Sequence, residues 1–122
     1  MEPSVYQTEY NNFLASYKIG STSGEDVGHV IAKMAQYFTE ANMNYGKALI
    51  AYNIIASQIE QQTDDNGKAI SSTKAKAIAS ASQESQILIL AKIHLENIEQ
   101  KINALKALQK GILNEYAHVG NM

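Results

Sequence analysis

The chain has 122 residues, 45% hydrophobic and 18% charged, with a net charge of −2 and no cysteine. Such a length holds one core of ordinary size, and the missing cysteine excludes a disulfide framework, a thiol nucleophile and a cysteine-held zinc. All ten basic residues are lysines, which argues against a surface dedicated to reading phosphates or bases, where the bidentate guanidinium of arginine is preferred.

The chain opens on Met1-Glu2-Pro3-Ser4, which lacks the basic segment and apolar stretch of a secretion signal. Its longest apolar run, Ile87 to Ala91, is far short of the roughly 20 residues of a membrane helix. A cytoplasmic protein without a membrane partner is expected. Pro3 suits the first turn of a helix, and Tyr6, Tyr10, Phe13 and Tyr17 recur at spacings of 4, 3 and 4, an aromatic stripe that predicts a helix over 3–18. Gly20-Ser21-Thr22-Ser23-Gly24 interrupts it, with Gly20 suited to a left-handed cap and Ser23 set with Asp26 as a capping box. This loop lacks the spacing and the lysine of a phosphate-cradling loop, and Glu25 and Asp26 already occupy the positive end of the next helix.

From Ile31, the residues Met34, Phe38, Ala41, Tyr45, Ala48, Tyr52, Ile55 and Ile59 alternate spacings of 3 and 4, the heptad rhythm of a helix seam. They predict a helix over 24–62, about 60 Å long at 1.5 Å per residue. Gly46 within it implies close helix contact or a slight bend. Thr63-Asp64-Asp65-Asn66-Gly67 is a reversing turn. With Gly67 at the sixth position of a calcium loop, Gln62 and Thr73 would fall where an acid and a glutamate are needed, so that reading fails. Ser71 or Ser72 then caps a short alanine-rich helix over 71–81, and Ser82 begins a last helix over 83–118.

That last helix repeats the seam with Leu88, Ala91, Leu95, Ile98, Ile102, Leu105, Ile112, Tyr116 and Val119, interrupted only by Gln109. Ile87, Leu90, Leu108 and Leu113 widen its apolar face beyond what one partner helix covers. The expected architecture is a single all-α domain over 1–122, a long antiparallel helical hairpin completed by two shorter helices. The surplus apolar surface points to a homo-oligomeric bundle sharing the same seam. Residues 1–65 carry three lysines against eight acids and 66–113 seven lysines against three, a complementarity that favours antiparallel or head-to-tail packing.

Chemistry is sparse. His29, His94 and His118 do not form the Glu-x-x-His motif of metal-binding bundles, so no metal and no other cofactor is expected. No nucleophile elbow is present, and catalytic residues are expected to be absent. The tyrosines fall on packing faces rather than on a base-stacking platform. Lys101, Lys106 and Lys110 make the last helix locally basic, a possible contact for a nucleic-acid backbone or an acidic partner.

The segment Asp64-Asp65-Asn66-Gly67-Lys68-Ala69-Ile70-Ser71-Ser72-Thr73-Lys74-Ala75-Lys76, followed by Asn97-Ile98-Glu99 and Asn103-Ala104-Leu105-Lys106-Ala107-Leu108-Gln109-Lys110, resembles small helical proteins encoded by tailed bacteriophages. The resemblance covers about residues 64–115 and implies a phage or prophage origin, hence the host cytoplasm, with no catalytic residues to carry over. The expected function is a non-enzymatic accessory protein that self-associates through its heptad helices and binds another protein. The alternatives are a nucleic-acid-binding accessory in replication or recombination and a bundle that sequesters a small ligand.

Overall fold

The computed structural model describes residues 4–120, with side chains to residue 115. The chain is all-α: α1 Val5–Ser16, α2 Gly24–Glu60, α3 Ser72–Ser80 and α4 Gln83–Gly120. Pro3 and the side chains of Tyr116, His118 and Val119, used above, lie outside the described residues. The chain divides into two compact units, one of Met1–Thr39 with Glu96–Met122 and one of Glu40–Leu95. Each unit takes opposite ends of α2 and α4, so the two long helices run antiparallel, as the reversing turn and the charge complementarity of the two halves implied.

In the first unit the fully buried side chains are Val27 and Met34 of α2 and Ile98 and Leu105 of α4. Met34 lies seven residues from Val27, as Leu105 does from Ile98, so each helix buries one heptad position completely. Tyr6 of α1 is buried with them. The first helix ends at Ser16, two residues before the expected boundary, because Tyr17 adopts an extended conformation with ψ 131°. Gly20, at φ +84°, serves the loop rather than the helix end. The expected capping box forms at Ser23, whose N–H donates to Asp26 Oδ2 at 2.9 Å while its Oγ accepts from the Asp26 N–H at 3.1 Å.

In the second unit Ala41, Ala48 and Ile59 of α2, Ala75 and Ala79 of α3 and Ser85 of α4 are buried. Tyr52, Ile55, Ala56 and Ile70 pack against the cluster of Ile59, Ala75 and Ala79. The reversal between α2 and α3 is built by Asp64, whose Oδ1 accepts from the N–H groups of Asn66 and Lys68, both at 2.9 Å. Gly67 sits there at φ +78°, a region that costs a residue with a Cβ about 1 kcal/mol or more. An isolated antiparallel bridge, Thr63 to Ala69, closes the turn. The Ser71 Oγ caps α3 by accepting from the Lys74 N–H at 3.1 Å. Ser82 separates α3 from α4: its Oγ donates to the Ala79 carbonyl at 2.6 Å and accepts from the Ser85 N–H at 3.1 Å. One serine thus closes one helix and opens the next.

Candidate interaction surface

Every seam residue whose side chain is described faces inward. Met34, Ile59, Ile98 and Leu105 are buried, and Ile31, Phe38, Tyr45, Tyr52, Ile55, Leu88, Leu95, Ile102 and Ile112 are half-buried. The seam is therefore the core of the chain itself, and surface left for another molecule must lie on other faces. Gln109, the polar break in the seam, has a definite use: its Nε2 donates to the Gly24 carbonyl at 2.9 Å. Of the two readings of Gly46, close helix contact or a slight bend, the contact is not found there and occurs elsewhere. A Cβ on Gly46 would meet nothing within 4 Å, whereas one on Gly24 would stand 3.1 Å from Leu113 and one on Gly28 3.2 Å from Gln109.

The aromatic stripe of α1 is held by charge as well as by burial. Lys101 of α4 places its ammonium 5.7 Å from the Tyr6 ring centroid and 5.2 Å from that of Tyr10, within the range of cation–π attraction. Lys33 of α2 pairs with Glu9 of α1 at 2.9 Å. This ammonium, aided by the Tyr37 hydroxyl, holds the Glu9 carboxyl below its usual pKa against the opposing effect of desolvation, and Glu9 in turn raises Lys33. The Ser23 backbone and hydroxyl likewise lower Asp26. These shifts arise from helix docking and capping, and none lies among groups arranged for proton transfer.

Of the three candidate nucleic-acid contacts, Lys101 is half-buried over its two tyrosines, while Lys106 and Lys110 are exposed. The basic patch is thereby reduced to two free-standing lysines. His29 lies 3.8 Å from Glu25 on the surface of α2. Among the described residues, no three or more histidine, aspartate and glutamate side chains gather as metal ligands, and no helix is long and apolar enough to cross a membrane.

What the two units do present is uncovered apolar surface. Met43, Leu49, Ile50 and Ile54 on α2, Ile78 on α3, and Ile87, Ile89, Leu90 and Ile93 on α4 are all exposed in the second unit; the first unit exposes Val5, Leu14, Ile19 and Leu113. Ile50 lies nine residues from both Ala41 and Ile59, or two and a half helical turns, which sets it on the side of α2 opposite those buried positions. Ile50, Asn53, Ile54, Ser57 and Gln58 line a groove of about 400 Å³ there. In the first unit, Tyr17, the loop Gly20 to Gly24, Ile112, Leu113 and Glu115 line a cavity of about 480 Å³. The periodicity located the seam; the outward row of Met43, Ile50 and Ile54 was hidden because Lys47 and Ser57 fall within it and Ile50 and Ile54 adjoin the seam residues of the apolar stretches 48–52 and 54–56.

Comparison with models of known families, with curated proteins and with solved structures gave no match.

Proposed function

We propose that this chain is a non-enzymatic accessory protein of phage or prophage origin that self-associates and acts by binding another protein. The observation that carries this reading is the concentration of exposed isoleucine, leucine and methionine on the second unit. Exposed apolar side chains mark association sites in soluble proteins where they join into a contiguous patch. A core in which Ala41, Ala48, Ala75 and Ala79 hold four of the buried positions contributes little apolar burial per residue, so a second surface stabilises the fold. Size-exclusion chromatography with light scattering at micromolar concentration is the test: a defined oligomer is expected, and a monomer overturns the self-association.

A small-ligand reading draws support from the cavity of about 480 Å³ bordered by Tyr17, Ile112 and Leu113, a volume in the range of small-molecule sites. A small molecule released on denaturing the purified oligomer would favour it over protein binding. The nucleic-acid reading is weakened by the engagement of Lys101 with Tyr6 and Tyr10.

A further inference from the structure

We propose that Asn66 is a site of spontaneous covalent change: water replaces its side-chain amide by a carboxyl, through a cyclic imide closed by the Gly67 nitrogen, at a rate that Asp64 restrains. The inference concerns the turn between α2 and α3 and is independent of what the chain binds.

Imide closure needs a backbone nitrogen that can reach the side-chain carbonyl carbon of the residue before it. Of the ten asparagines, Asn66 alone is followed by glycine, whose missing Cβ leaves that nitrogen unhindered. Eight of the others, such as Asn53 before Ile54 and Asn97 before Ile98, lie inside α1, α2 and α4, where the following N–H is committed to the helix ladder. The tenth, Asn121, lies outside the described residues. Asp65, Asn66, Gly67, Lys68 and Ala69 are all exposed, and a Cβ on Gly67 would meet nothing within 4 Å. Water and base therefore reach the site directly from solvent.

The bonds made and broken balance with water as the sole co-reactant. The Gly67 nitrogen gives its proton to solvent base and attacks Cγ of Asn66. The bond from Cγ to Nδ2 breaks, and ammonia leaves with a proton taken from water. A second water then opens the imide at either carbonyl. Cleavage at Cγ leaves aspartate, and cleavage at the backbone carbonyl leaves isoaspartate, in which the chain runs through Cγ.

The folded turn opposes the first of these steps. The Gly67 N–H donates to the Asp64 carbonyl at 3.0 Å, and an amide engaged in this way gives up its proton less readily. The Asp64 carboxylate accepts from the N–H groups on either side, those of Asn66 and Lys68, so an anion forming at Gly67 would stand beside a like charge. Asp64 thus accepts from three successive amides, and its own N–H donates to the Lys68 carbonyl at 2.6 Å. Imide closure waits on the local opening of this turn. Either product sets a new carboxylate beside Asp64 and Asp65. Isoaspartate also lengthens the backbone ahead of Gly67, which removes its N–H from the Asp64 carbonyl and loosens the joint between α2 and α3.

The test follows the full-length protein in mildly alkaline buffer, folded and in guanidinium chloride, by peptide mass spectrometry after pepsin digestion in acid, which halts the reaction. Asp64→Ala is measured alongside. Amide loss is expected at Asn66 ahead of every other asparagine, with isoaspartate among the products. The folded wild type should react at least about tenfold more slowly than the unfolded chain, and Asp64→Ala should close much of that gap. No loss at Asn66 in the unfolded chain, or equal loss at another asparagine, overturns the site. Loss confined to the unfolded chain overturns it as a site of the folded protein. Equal rates in the folded and unfolded wild type, or an Asp64→Ala variant no faster than wild type, overturn the restraint by Asp64. Should Asp64→Ala lose its helical circular dichroism, the comparison of folded with unfolded wild type decides.

Discussion

Glu9 and Lys33 join α1 to α2 through a contact of 2.9 Å, and their opposite pKa shifts fix a pH window. Glu9 is lowered from the usual 4.5 and Asp26 from 3.8, so their contribution is present above those values and is lost as pH falls through the lower folded ones. Lys33 is raised from 10.5; its contribution is complete below that value and is lost as pH rises through the higher folded one. The contribution of these three groups to the melting temperature should therefore be constant from about pH 5 to about pH 9 and fall on both sides. Glu9→Gln should flatten the alkaline fall and part of the acid one, leaving the share due to Asp26. An alkaline fall in melting temperature that is the same in Glu9→Gln as in the wild type would refute this assignment. The sequence did not disclose the pair, because residues 24 positions apart on different helices carry no spacing signal. Lys101 is a similar case: its sequence context placed it in a basic stripe, and only the docking of α1 turns it toward Tyr6 and Tyr10.

Helices were the most legible level. The 3-and-4 alternation located α2 and α4 because a single inward face must recur at that interval whatever it packs against. Ser23 with Asp26 and Ser71 fixed two starts through the free amides a helix leaves there. What one-dimensional reading missed was approach between elements. Gly46, flagged as a contact or a slight bend, faces open space, while Gly24 and Gly28 lie against Leu113 and Gln109, a relation set by residues about 85 positions away. A consequence follows for stability. Gly46→Ala should stabilise the protein by about 0.5–1 kcal/mol, because an interior helical glycine gives up backbone entropy that alanine does not. Chemical denaturation of the variant would show a higher midpoint at an unchanged slope, and a lower midpoint would mean that Gly46 has a contact absent from this structure.

For the whole molecule, the sequence indicated more apolar surface than its helices could cover, but not which part stayed open. Burial is a property of the assembled helices: Leu108 is half-buried while Ile87, Leu90 and Leu113, from the same widened face, are exposed. The proposed association adds a concentration term to stability, since anything that binds only the folded chain raises its melting temperature by mass action. Differential scanning calorimetry across about a hundredfold range of protein concentration should show the melting temperature rising with concentration. A constant value would argue against coupling between folding and assembly.

The alanines buried beneath α3 also bear on how the chain breathes. Ala75 and Ala79 let that nine-residue helix lie close against Ile59, yet each methyl group supplies only a small share of burial free energy. With one side-chain cap at Ser71 and one shared hydroxyl at Ser82, α3 has the profile of a segment that opens by itself, without the rest of the chain unfolding. Its amides, from Ala75 to Ala81, should therefore exchange with deuterium well before those around Met34, Ile98 and Leu105. The same local opening would expose the bond segments between residues 61 and 82 to proteases, making that stretch the first point of cleavage in an otherwise intact protein.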